Sequence, residues 1–465
     1  MAHARAARWL GVQPVPDALE VAEHWACAGE VAQAAPWWAC AAEERLESND
    51  LVGACRVAER ALAALDEGAV QAPTAEGSLL ATLGHALCWM GQSAQGAARL
   101  AAALAQLEAG TAAWFRAAAD MLSAHRVPEV EGRPWAAALE DYARAADSPG
   151  ARSAAATALC RAATLAWDDA RDAEGDALFA AVVEMSHLEP LPSPSDAHIA
   201  RTRAARAWRR GDFGDCIEAL VVALDGFRAA GLTRHASGVR GNLGAVCVEV
   251  GLYERACSEL SETAREAATL GLVRLEASAW HNLGHALLRL GRLDEALEVE
   301  EMALRFFEAH GDEVWSAASR LYLARIHTAG GRPAQAMSEV ARALPVLEAR
   351  AASMQALALA AQAEALLAQG QAEQALEATQ RGFEWLDDHG GAGEGELLLH
   401  AMALDTLTAL GRLDDLPERA ALALRALSRR ADNLRNPALR AAFLNDVAEN
   451  AAILRAQPRS TEAHR

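Results

Sequence analysis

The chain has 465 residues, 52% of them hydrophobic, and a formal charge of −20 from 63 acidic and 43 basic side chains. That balance argues against nucleic acid and anionic membrane as partners. Every basic residue is arginine, so the phosphate lysine of a P-loop ATPase, the strand lysine of a protein kinase and a Schiff-base amine cannot exist here in their usual forms.

The N-terminal lead-in, residues 1–16, opens with "MAHARAARWLG" and has no signal-peptide core. No later stretch is long and apolar enough to span a bilayer, and a cytoplasmic location is expected. From there a turn signal recurs every 39 to 42 residues, at Asn49, Gly91, Gly132, Asp172, Gly211, Gly251, Gly291, Gly331, Gly370 and Gly411. Gly231, Gly271, Gly311 and Gly390 fall halfway between, which leaves room in each interval for one helix of roughly 16 residues and a short connection. The expected fold is all-α: an α-solenoid of about ten antiparallel helix hairpins, each packing only on its neighbours.

In chain order, residues 17–188 read as a diverged helical array. His125 stands there where a small residue is expected, and "RVPEVEGRP" (126–134) would push two helices apart. "EPLPSPS" (189–195) reads as a Pro-rich hinge and residues 196–430 as a regular array. Residues 431–456 read as a C-terminal capping helix, and 457–465 as a disordered tail.

The template is clearest in "WHNLGHALLRLGRLDEALEVEEMAL" (280–304). Trp280, Leu283, Gly284 and Leu287 fall at i, i+3, i+4 and i+7 and share one helix face. After Gly291, Leu293, Ala296, Leu297, Ala303, Leu304 and Phe307 form a second stripe. Small pairs, Gly244 with Ala256, Gly284 with Ala296, Ala324 with Ala336 and Ala363 with Ala375, let antiparallel helices approach closely. One position breaks the stripe: Glu300 stands where adjacent repeats have Leu260 and Val340, so either it pairs with Arg320 or the stripe shifts to Val299.

The W-x2-L-G-x2-[large]…A pattern, with its turns in phase along the chain, resembles the tetratricopeptide repeat in its long form of roughly 40 residues. The resemblance implies a superhelix whose first helices line a concave groove. Residues 17–63, beginning "DALEVAEHW", and 436–454, "NPALRAAFLNDVAENAAIL", resemble the ends of the C-terminal repeat region of large bacterial serine/threonine protein kinases and AAA-type ATPase signalling proteins. By that likeness the chain is a regulatory tail without its enzyme.

The eight cysteines contain no C-x2-C pair and read as reduced small hydrophobes of the helical stripes. His281 and His285 share a helix face four residues apart, but position 282 is Asn and no metal site or cofactor is expected. Asn242 and Asn282 each precede a Leu-Gly pair and resemble the asparagines that, in peptide-binding relatives, clamp a ligand main chain through amide donor and acceptor. The same register holds Thr202 before them and Tyr322 after. Around them Arg201, Arg209, His281, His285, Arg289 and Arg325 make a basic streak. Its arginine forks either hold an acidic or C-terminal peptide or pair with glutamates of neighbouring helices.

No nucleophile, metal or phosphate constellation stands out, so no enzymatic activity is expected. The leading expectation is a scaffold that binds a protein or peptide segment in its groove, in bacterial signal transduction. The alternative is a module that senses a small molecule or signal peptide and acts on a serine/threonine kinase or ATPase partner.

Overall fold

Left-handed backbone at the expected turns divides the chain into helices. In the computed structural model, residues 1–123, 135–169, 171–188, 191, 194–351, 354–388 and 395–456 are described. His125, Gly132, the stretch 126–134, most of 189–195, Gly390 and the tail 457–465 lie outside them. Asn49, Gly91, Gly211, Gly251, Gly291, Gly331, Gly370 and Gly411 all have φ between +66° and +82°. At Gly291 the Arg292 N–H donates to the Leu287 carbonyl at 2.9 Å, and the Gly291 N–H donates to Leu288 at 3.0 Å. This is the paired closure that satisfies the last carbonyls of a helix when the next residue turns left-handed. The same bonds recur around Gly251, Gly331 and Gly411. Asp172 is not a turn residue: it opens a helix, and the Arg171 N–H just before it donates to the Ala166 carbonyl at 2.8 Å.

Among the described residues there are 24 α-helices and no strand. They are α1 Ala2–Leu10, α2 Ala18–Cys27, α3 Val31–Glu47, α4 Leu51–Glu67, α5 Pro73–Trp89, α6 Ser93–Gln106, α7 Ala112–Ser123 and α8 Trp135–Ala145. There follow α9 Pro149–Asp168, α10 Asp172–Leu188, α11 Ser195–Arg209, α12 Phe213–Ala229, α13 Thr233–Glu249, α14 Tyr253–Thr269, α15 Val273–Arg289 and α16 Leu293–Ala309. The last are α17 Glu313–Ala329, α18 Pro333–Arg350, α19 Gln355–Ala368, α20 Ala372–Asp388, α21 Glu396–Ala409, α22 Leu416–Asp432, α23 Pro437–Asn445 and α24 Ala448–Arg455. No described helix is long and apolar enough to cross a membrane. The chain is an all-α solenoid, and it divides into two compact units. The first comprises Met1–Arg206, Ala219–Val239 and Glu266–Arg274; the second comprises Ala207–Glu218, Arg240–Arg265 and Leu275–Arg465.

In the first unit the core runs through α5, α6, α7, α9 and α10, with Phe115, Leu100, Leu159 and Leu178 almost fully buried. In the second, the small positions do what their size permits. A Cβ on Gly244 would lie 2.5 Å from the Leu260 side chain, and one on Gly382 2.7 Å from Leu399. Ala256, Ala296, Ala336 and Ala375 are wholly buried, as are Ala303 and Phe307 of the α16 stripe.

The segment read as one capping helix comprises two, α23 and α24. The Asn436 carboxamide oxygen accepts the N–H groups of Ala438 and Leu439 at 2.9 and 3.2 Å and starts α23. Extended backbone at Val447 separates it from α24. Both helices lie on the second unit: Phe443 is buried and faces Phe213, and the Tyr253 hydroxyl donates to the Asp446 carbonyl at 3.4 Å.

Candidate ligand-binding site

The two asparagines sit in equivalent places on α13 and α15 of the second unit. Asn242 is exposed and Asn282 half-buried, and neither carboxamide has a hydrogen-bond partner among the described residues. Each is held by the Leu-Gly pair that follows it: Leu243 and Leu283 are buried, and Gly244 and Gly284 bring their helix onto α14 and α16. The column changes character at its ends. The buried Thr202 hydroxyl donates to the His198 carbonyl, and Tyr322 is buried beneath His281 and His285, its ring 5.0 and 4.5 Å from theirs.

The basic streak is engaged internally. His281 is buried, its Nδ1 2.7 Å from Glu300 Oε1 and 3.2 Å from Ser319 Oγ. Burial holds the Glu300 carboxyl above its ordinary range, against the opposing pull of His281. Glu300 therefore has a histidine partner, and Arg320 pairs instead with Glu308 and Glu339. The carboxyl fits because the α15 residue facing it is Gly284, whose Cβ would lie 2.5 Å from Oε2. His285 is buried and accepts the Arg289 Nε–H at 3.2 Å; burial first, then the charges of Arg289 and Arg325, drive its pKa well down, so it is neutral. Arg325 pairs with Glu364 of α19 at 3.1 Å, a neighbouring-helix glutamate as one sequence alternative required.

Arg289 closes a longer loop. Its two terminal nitrogens donate to both Glu449 oxygens at 2.7 and 2.6 Å, with the side chains 13% and 10% exposed. Burial works against both charges, but each outweighs it for the other: Arg289 is raised and Glu449 is held below the usual carboxylate range. The C-terminal helices thus occupy the place where a ligand carboxylate was expected. Arg209 is exposed in the second unit, and Arg201 lies in the first.

Around Arg201 the first unit assembles a cluster that sequence reading missed. Arg201 Nη2 lies 3.4 Å from His198 Nδ1, and its guanidinium stands 5.8 Å over the Phe227 ring. His198 and His235 are 5.3 Å apart, both against Phe227. Arg234 stands 5.8 Å over Trp89, whose Nε1–H donates to His85 Nε2 at 2.8 Å, and His85 Nδ1 bonds Asp120. Arg161 of α9 acts electrostatically on Arg201, His198 and His235. The available signal was "HIAR" (198–201) and "TRH" (233–235), which put basic side chains on successive first helices.

The cysteines are all free thiols. Six are buried or half-buried, with burial pushing Cys216 up to about 12 and Cys247 to about 11, whereas Cys27 and Cys40 are exposed rather than core residues.

Residues 275–349 match the family model of the tetratricopeptide repeat. No curated protein matches. Among solved structures, the chain is similar to a Rap protein complexed with Competence and Sporulation Factor, at 14% identity over 82% of this chain and 98% of that one, with a TM-score of 0.45. NprR in complex with its cognate peptide NprX aligns at 13% identity, covering 64% of this chain and 81% of that one, TM-score 0.45. The APC/C hetero-tetramer Cut9–Hcn1 aligns at 14% identity, covering 98% and 94%, TM-score 0.43.

Proposed function

We propose that the chain is a non-enzymatic scaffold that holds an extended protein or peptide segment across α13 and α15 of its second unit. The observation that supports this is the pair of unbonded carboxamides, Asn242 and Asn282, in the same register of consecutive repeats. A carboxamide offers one acceptor and two donors, which matches the alternating groups of a peptide main chain. First helices of stacked hairpins pack at roughly 8–10 Å, about three residues of extended chain at ~3.3 Å each. Recognition of main chain rather than side chains follows, and so does a partner of loose sequence preference, as suits signal transduction. The sensing alternative, with a serine/threonine kinase or ATPase as partner, draws on the Arg289–Glu449 contact, since a ligand acid that displaced Glu449 would free α23 and α24.

Selection from a random peptide library on the wild type, followed by titration of the recovered peptides, tests the scaffold reading. Asn242→Ala with Asn282→Ala is expected to weaken those peptides by at least about tenfold with helix content unchanged, which is about 1.4 kcal/mol. Methylation of central amides in the peptide should do the same. Equal affinity for the double variant would remove the assignment.

A further inference from the structure

Among the described residues, carboxylates are scarce around Arg161 and Arg201. Of these residues Asp120 is the sole carboxylate that acts on Arg161, and it is already bonded to His85. None of them acts on Arg201. Arg234 is influenced by Asp120 and Glu47, yet its Nη1 is spent on the Leu46 carbonyl and its buried Nε has no partner. Among the described residues Arg161 makes no hydrogen bond or ion pair, and the buried Nδ1 of His235 has none either. Arg161 and Arg201 thus act on each other in a protein with twenty excess negative charges, while Arg234 is turned to Leu46 and Glu47.

Burial and mutual repulsion disfavour such a cluster: Arg201 is held well below its usual range by burial and by Arg161. The aromatic face of Phe227 lies against the Arg201 guanidinium, so that fork is oriented before any ligand arrives. Arg161, Arg201 and His235 each keep part of their side-chain surface exposed, although the Nδ1 of His235 is itself buried.

We propose that Arg161 and Arg201, with His198 and His235 beside them, form a binding site for an oxyanion, a carboxylate or a phosphate, in the first unit. The guanidinium forks supply paired donors of the geometry such a group accepts. The bound anion supplies the charge that the chain withholds. Free phosphate and the terminal carboxylate of a peptide share this chemistry. The site shares no residue with the proposed peptide surface, although Asn242 lies farther along α13, the helix that carries His235.

Calorimetric titration with inorganic phosphate and, separately, with an acetylated dipeptide acid and its amide, all at matched ionic strength in potassium chloride, tests the proposal. Saturable binding of phosphate, or of the acid but not the amide, is expected, and the arm that binds names the source. Arg161→Gln and Arg201→Gln should each weaken it at least about tenfold while leaving the thermal midpoint of the free protein unchanged or higher, because a repulsive charge is removed. Arg161→Lys, which keeps charge but loses the fork, should fall between. Asn242→Ala with Asn282→Ala should leave anion binding intact. Absence of saturable binding of both the phosphate and the acid, or undiminished binding in the two glutamine variants, overturns the site.

Discussion

Removal of the Glu449 carboxylate should release the last two helices. Glu449→Ala deletes both acceptors of Arg289, at 2.6 and 2.7 Å, and leaves a guanidinium whose side chain is 13% exposed, whose hydrogen bond is to the neutral His285 ring and on which Glu249 acts only electrostatically. Breaking one partner of a buried, doubly bonded pair costs about 3–5 kcal/mol. Glu449 also lies in the first turn of α24, where a negative charge adds ~0.3–1 kcal/mol through the helix dipole. Against this stand Phe443, Ile453 and the buried Asn450, whose Nδ2 donates to the Phe443 carbonyl at 2.8 Å. Hydrogen exchange read by mass spectrometry should show residues 437–455 losing protection by about two to three and a half orders of magnitude, with α19 unchanged as control. Arg289→Met combined with Glu449→Met should recover most of it, since an apolar pair of similar volume replaces the ions without stranding either. Glu449 has a depressed pKa in the folded state, so its contribution is present above the unfolded value near 4.3 and is lost as pH falls through the folded one. The wild-type C-terminal helices should therefore loosen under acid. Unchanged protection in Glu449→Ala, or a double variant no better than the single, would refute the reasoning.

Four further outcomes follow from the packing. Glu300 has a raised folded pKa, so its favourable contribution is present below the unfolded value and is lost as pH rises through the folded one; Glu300→Gln, which keeps the His281 contact, should match or exceed the wild-type Tm at neutral pH and lose that margin near pH 4, whereas a loss above about 2 kcal/mol would show that the ion itself is needed. Gly244→Ala should cost about 1–3 kcal/mol by crowding Leu260 and be relieved by Leu260→Ala; Gly291→Ala should cost ~1–2 kcal/mol through φ alone and be relieved by changing the residue to Asn, as at Asn49, both read by denaturant titration. A maleimide should label Cys27 and Cys40 in the native protein and reach Cys216 and Cys247 only after unfolding; early labelling of the latter pair would contradict their burial.

What could be read in advance was whatever repeats. Left-handed backbone is cheap only for glycine and, at one turn, asparagine, so the turns from Gly211 to Gly411 announced themselves, while Asp172, placed at a turn by spacing without a glycine, opens a helix instead. Asn242 and Asn282 were legible because a column in a solenoid is a column in the sequence. The partners of the charged residues were not. Arg289 meets Glu449 across 160 positions and Arg234 meets the Leu46 carbonyl across 188, contacts set by how a unit closes on itself, which nearest-neighbour periodicity does not encode. Glu300 shows the intermediate case: its burial was foreseeable from Leu260 and Val340, but its partner depended on Gly284 making room.

The turn glycines differ in what surrounds them. A side chain at Gly211, Gly231, Gly271, Gly291, Gly311, Gly331, Gly370 or Gly411 would meet nothing within 4 Å, whereas at Gly251 it would press on the Ala442 carbonyl and at Gly395 on the Leu357 backbone. With Gly29 equally clear, the described turns therefore offer nine places where a fluorophore-bearing loop or a foreign epitope can be spliced in, and two where the same graft would prise apart what lies beneath.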